Sequence, residues 1–163
     1  MKLSKRIKLL YGLGFSAQGI KDGLFQIFLF FYFSQVLGLD ASLTGLATII
    51  ALLFDAISDP LIGVISDRWK SKIWGRRHGF MLISAIPLGV FIYLLFLPPS
   101  DLDQTGLFLW LTIFTILVRL SLTLFQVPSM SLGAELSTDY NERTSITSYR
   151  VMFADLKLPV PLK

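Results

Sequence analysis

An all-α integral membrane protein is the fold class that this sequence predicts, and three observations predict it. Of the 163 residues, 53% are hydrophobic and only 16% charged, whereas a soluble domain carries about a quarter charged residues. Four apolar segments are long enough to cross a bilayer core of about 30 Å, which takes roughly 20 residues of helix. The basic residues collect at the ends of these segments and in alternate loops, the pattern that orients a membrane protein.

The first segment, about 8–39, is long for one span, so a tilted helix entered through an amphipathic interfacial turn is expected. Gly38-Leu39-Asp40-Ala41-Ser42 makes a short turn, with Ser42 as the expected N-cap of the next helix. The second span covers about 42–66 and carries Asp55 and Asp59. The third, about 79–98, holds no charge and ends on Pro98-Pro99-Ser100-Asp101. The fourth, about 106–136, carries Arg119, Gln126 and Pro128. A fifth begins near Ser145 and is broken by Asp155, Lys157, Pro159 and Pro161. Residues 1–155 thus read as part of a larger membrane protein. Residues 156–163 read as an aberrant or truncated tail.

The loops set the expected orientation. Lys2, Lys5, Arg6 and Lys8 precede the first span, and Arg68, Lys70, Lys72, Arg76 and Arg77 lie between the second and third. The turns 38–42 and 99–105 hold no Lys or Arg. The N-terminus and the loop 67–78 are therefore expected in the cytoplasm, with the protein multi-pass in the cytoplasmic (inner) membrane. The net charge of +4 belongs to this asymmetry and implies no nucleic-acid partner. The absence of cysteine excludes disulfides and thiolate metal sites. No nucleophile–base pair, metal cluster or phosphate loop marks an enzyme, and no cofactor is implied.

Ionisable residues inside a membrane are costly, about 2.5–3.5 kcal/mol at a helix centre on insertion scales, and so point to function. Asp22, beside Lys21, Asp55 and the pair Arg119 and Thr123 fall near the middles of their spans, at one depth. A carrier binds its solute and coupling ion at that depth. Asp55 and Asp59 are i and i+4, one turn apart on one face. Two carboxylates there must share a proton, hold a cation or face a basic partner. Sodium accepts such oxygens, with the Ser58 and Thr123 hydroxyls as neutral additions. Arg119, Thr123 and Gln126 form one stripe on the fourth span, as Gln18, Asp22 and Gln26 do on the first. Arg119 is a candidate counter-charge to Asp55 or Asp59. Bland alternatives stand beside these: Asp55 and Asp59 as a helix-end feature, Lys21 and Asp22 as a structural pair, and Gln126 serving carbonyls freed by Pro128. Gly12, Gly19 and Gly23 are expected to permit close helix packing.

Gly63-Val-Ile-Ser-Asp67-Arg68 followed by Gly75-Arg76-Arg77 resembles the cytoplasmic loop between spans two and three of the major facilitator superfamily. Within it, Asp55-Ala-Ile-Ser-Asp59-Pro60 with Lys21-Asp22-Gly23 is similar to the glycoside–pentoside–hexuronide:cation symporters, the melibiose-carrier-like family. Val127-Pro128, Gly133-Ala-Glu135-Leu136 and Glu142-Arg143-Thr144 with Tyr149-Arg150 extend the likeness over residues 5 to about 155. The resemblance implies the first four helices, and the start of a fifth, of a major-facilitator fold, the rest of the carrier being a missing partner. It also implies sodium or proton symport of a sugar or glycoside. Asp55, Asp59, Ser58 and Thr123 would bind the cation, and Lys21, Asp22, Gln126, Met130 and Arg150 the solute. Gly63, Asp67, Arg68, Arg76 and Arg77 would form a cytoplasmic gating loop. Gln126 and Met130 stand where melibiose-carrier-like members have a sugar-binding Asp and a stacking Trp. The substitutions remove a charge-assisted hydrogen bond and a ring face. Rival readings are a lysolipid or drug carrier of the same superfamily and a nonfunctional truncated membrane protein.

Overall fold

A computed structural model of the chain describes residues 4–69, 78–135, 137 and 139–154. Arg76, Arg77 and the tail 156–163 lie outside the described residues, as do the side chains of Lys21, Gln26, His78 and Glu135. In order, the elements are α1 (Lys5–Gly14), α2 (Ser16–Gly23), π-helical turns at Leu24–Leu29 and Tyr32–Val36, α3 (Ala41–Arg68), α4 (His78–Leu95), α5 (Gln104–Glu135) and α6 (Tyr140–Ala154). No strand occurs among the described residues. Residues 1–29 and 130–163 form one compact unit and residues 30–129 a second.

In the first unit, the single long helix expected from residue 8 is instead interrupted. Gly12, Gly14, Gly19 and Gly23 weaken the helix, and Phe15, only 1% exposed, turns the chain with its amide on the Gly12 carbonyl at 2.8 Å. α1 packs on α6. A Cβ on Gly12 would meet Phe153 Cδ2 at 2.5 Å and the Tyr149 carbonyl at 3.0 Å, so glycine is what lets these helices approach. Around Gly23 there is open space instead, so the packing role expected of it is not present. Lys8 Nζ reaches across the α1–α6 contact to Glu142 Oε2 at 2.7 Å and to Ser145 Oγ at 3.0 Å. Both residues of the ion pair are buried. The helix expected from Ser145 starts at Tyr140, because the Asp139 carboxylate accepts the Asn141 and Glu142 amides at 2.8 and 3.4 Å.

In the second unit, Gly38 at φ +73° reverses the chain before α3. Ser42 is not the cap: the helix begins at Ala41 with Asp40 before it. The Gln104 side chain holds the turn, donating to the Gly38 carbonyl at 2.8 Å and accepting the Asp40 amide at 3.1 Å. α4 stops at Leu95 rather than at Pro98. Pro98 has no N–H for the Leu94 carbonyl, which instead accepts the Leu97 amide and the Trp110 indole N–H, both at 3.1 Å. The next carbonyl but one, Phe96, accepts the Tyr32 hydroxyl at 3.0 Å.

α3 and α5 are long and apolar enough to cross a membrane, and Met81–Leu95 is a shorter apolar helix. At 1.5 Å per residue the 28 residues of α3 span about 42 Å. The burial is inverted relative to a soluble protein. Ile49, Leu52, Leu53, Ile57, Leu61 and Val64 on α3 are exposed, while Thr44, Ala47, Ala51, Ser58 and Ser66 are buried. Small residues let helices close together, and an exposed apolar belt of this extent requires lipid or protein against it. Four buried hydroxyls are satisfied one turn back: Thr44 donates to the Asp40 carbonyl, Ser66 to Gly63, Thr112 to Phe108 and Ser121 to Leu117.

Candidate functional site

The contacts between α3 and α5 share one register. Asp40 meets Gln104, Asp55 meets Arg119 and Asp59 meets Thr123, each pair separated by 64 residues. A Cβ on Gly63 would lie 3.6 Å from Val127 Cγ1, again 64 residues on. A constant offset means that the two helices run parallel, so α4 between them in sequence returns the chain. Three successive contacts at four-residue steps place the i and i+4 carboxylates of α3 opposite the i and i+4 polar residues of α5. The 3.6 Å distance at Gly63 is ordinary van der Waals contact, so this glycine is not what brings α3 and α5 together.

Arg119 Nη1 donates to Asp55 Oδ2 in an ion pair whose side chains are 12% and 22% exposed. The other carboxylate oxygen of Asp55, Oδ1, is buried with no hydrogen-bond partner among the described residues. Next along, the Thr123 hydroxyl lies 2.8 Å from Asp59 Oδ1 and 3.1 Å from the Arg119 carbonyl. It has one proton, so it donates to one of these at a time. Ser58 is buried, its hydroxyl 3.4 Å from the Asp55 carbonyl one turn back. Asp59 is exposed. The layer therefore offers two carboxylates, one guanidinium and two hydroxyls, a net charge of about −1 when all are ionised.

The residues expected to meet solute distribute as follows. Gln126 lies on α5 within the second unit and is partly buried. Asp22 is partly buried at the end of α2. Met130 and Arg150 come together in the first unit, in a cavity of about 170 Å³ that Tyr11, Gly133, Ile146 and Thr147 also line. Arg150 stacks 5.8 Å above the Phe15 ring and hydrogen-bonds Tyr11, so two aromatic residues hold it in place. A Cβ on Gly133 would fall 2.2 Å from the Tyr11 hydroxyl; the missing side chain makes room for that phenol. Sequence reasoning passed over Tyr11, which meets Phe15 one turn on but also Gly133 and Arg150, more than a hundred residues away. Asp67 and Arg68, expected in the gating loop, form the exposed last turn of α3.

The family model described as MFS/sugar transport protein matches residues 10–157. The uncharacterized symporter sll1374 of Synechocystis is 37% identical over 94% of the chain and 29% of its own length. The inner membrane symporter YicJ of Escherichia coli is 31% identical over 93% of the chain and 33% of its length. The sodium-dependent lysophosphatidylcholine symporter 1-B of zebrafish, Danio rerio, is 30% identical over 92% of the chain and 28% of its length. The chain thus spans about a third of the length of the curated relatives it matches.

Proposed function

The chain belongs to the MFS/sugar transport protein family, and from that premise we propose that it forms part of a carrier that couples a monovalent cation to uptake of a sugar or glycoside across the cytoplasmic membrane. Family and symporter relatives alike support a transport protein in a lipid bilayer. The observation that carries the coupling assignment is the paired contact of Asp55 with Arg119 and Asp59 with Thr123 on facing parallel helices.

Asp59 and the bare Oδ1 of Asp55 supply anionic oxygens for sodium or a proton, and Ser58 and Thr123 supply neutral ones. Thr123 suits this part because its proton has two acceptors. Rotating from Asp59 to the Arg119 carbonyl keeps the hydroxyl satisfied and turns a lone pair toward an arriving cation. Arg150, with Met130 beside it, and Lys21, Asp22 and Gln126 bind solute. Arg150 is already oriented by Tyr11 and Phe15, and a guanidinium keeps further N–H donors for solute oxygens. Gly63, Asp67, Arg68, Arg76 and Arg77 belong to the cytoplasmic gate, with the N-terminus on the same side. Alternating access brings the site to each face in turn.

A lysolipid is the second reading, and the relationship to a lysophosphatidylcholine symporter favours it, as does a thioether at Met130 in place of a stacking ring. The test is uptake into proteoliposomes of a carrier containing this sequence, under an imposed sodium or proton gradient, with labelled glycosides and labelled lysolipid. Gradient-driven glycoside uptake that Asp59→Asn abolishes is expected. Gradient-driven lysolipid uptake alone establishes the second reading, and uptake indifferent to both gradients removes the symport assignment.

A further inference from the structure

We propose that Arg119 is a tethered internal cation that competes with the transported ion for Asp55 and thereby restricts the site to a single monovalent charge. This rests on the reading that Asp55 and Asp59 face a cation, and adds the device that sets its affinity and valence.

The geometry begins with the shared register. α3 presents Asp55 and Asp59 one turn apart, and α5 answers with a guanidinium at the first position and a hydroxyl at the second. The two carboxylates are therefore not equivalent. Asp59 meets only a neutral donor from α5, whereas Asp55 has one oxygen engaged by Arg119 and the other buried without a hydrogen bond among the described residues. The pair is mostly out of water, with the two side chains 12% and 22% exposed, so solvent screens it weakly and charge counting governs what else can enter.

Two carboxylates alone carry −2 and attract a divalent ion or two monovalent ones. With Arg119 in place the sum is −1. One monovalent cation neutralises the layer, whereas a divalent cation leaves an unbalanced +1 beside the weakly solvated Asp55–Arg119 pair. Arginine is suited to the part because it does not lose its proton at any working pH, so the competing charge is permanent. It is also planar, and it meets Asp55 through Nη1. An ion that enters between the carboxylates repels the guanidinium, and Arg119 must yield part of its hold on Asp55. That cost weakens ion binding and lets the ion leave again, as a carrier's cycle requires.

The experiment measures equilibrium binding of radiolabelled sodium, and competition by calcium, on a purified carrier containing this sequence in lipid nanodiscs. Arg119→Gln is expected to tighten sodium binding by about tenfold or more, from the removal of a like charge in a weakly screened site. It is also expected to make calcium an effective competitor. Arg119→Lys keeps the charge and is expected to stay within about threefold of the parent, with calcium still excluded. Asp55→Asn with Arg119→Gln restores the sum of −1 and is expected to return monovalent preference; it also replaces the ion pair by two neutral amides, so it reports even where Arg119→Gln alone does not fold. Sodium affinity that is unchanged or weakened in Arg119→Gln, or calcium binding by the double variant, overturns the proposal. Asp59→Asn separates the two levels of argument. If the parent and Asp59→Asn bind sodium alike, the cation-site reading itself fails; if Asp59→Asn abolishes binding while Arg119→Gln changes nothing, only the competitor role fails.

Discussion

Replacing Gly12 by alanine tests the α1–α6 contact with a result whose sign depends on a second residue. The added Cβ would stand 2.5 Å from Phe153 Cδ2, 3.1 Å from Phe153 Cε2 and 3.0 Å from the Tyr149 carbonyl oxygen. Overpacking of this kind costs about 1–3 kcal/mol. Alanine also gains about 1 kcal/mol of helix propensity over glycine, so Gly12→Ala alone is expected to destabilise by roughly 0–2 kcal/mol. In a Phe153→Ala background two of the three close contacts disappear, and the remaining one needs a shift of only a few tenths of an ångström. There the propensity gain prevails, and Gly12→Ala is expected to be neutral or stabilising by up to about 1 kcal/mol. Thermal and denaturant unfolding of the four proteins in one detergent gives the cycle. Additivity within about 0.5 kcal/mol would mean that residues 12 and 153 do not touch, and would refute the packing described for the first unit.

Two further predictions follow from other contacts. Lys8→Met alone strands the buried Glu142 carboxylate and is expected to cost about 3–5 kcal/mol, whereas adding Glu142→Gln recovers much of that loss; equal losses in the single and double variants would show that the pair does not bridge α1 and α6. Gln104→Ala removes both side-chain bonds that hold the Gly38–Asp40 turn, each worth about 0.5–1.5 kcal/mol, so amide exchange at Asp40 is expected to speed up severalfold while amides in mid-α3 stay unchanged.

Much of the second unit is legible from the sequence alone because membrane helices are long, uniformly apolar and bounded by turn residues. Helices α3, α4 and α5 lie over the segments near 42–66, 79–98 and 106–136, with bounds shifted by a few residues. The shifts have local causes: Gln104 holds the turn that Ser42 was expected to cap, and Pro98 withdraws an N–H from a carbonyl four residues earlier. Spacing also placed Asp55 with Asp59, and Arg119 with Thr123, as neighbours on their own helices. It left open which carboxylate Arg119 meets, because that depends on the register between α3 and α5, and a register is a property of two surfaces. The first unit was less legible. The close approach at Gly12 and the phenol seated over Gly133 depend on contacts between segments more than a hundred residues apart, and no local pattern announces them. Asp139 is the exception: an Asp one residue before Tyr140 is a readable cap.

The most direct test of the account is infrared difference spectroscopy of the chain in lipid, recorded as choline is exchanged for sodium, on the parent, Asp55→Asn, Asp59→Asn and Thr123→Val. The account predicts carboxylate bands that shift with sodium in the parent, vanish in Asp59→Asn and weaken in Asp55→Asn and Thr123→Val. Sodium-induced carboxylate bands of equal size in the parent and Asp59→Asn would contradict it, because the ion would then be bound by acidic residues elsewhere than on the α3–α5 face.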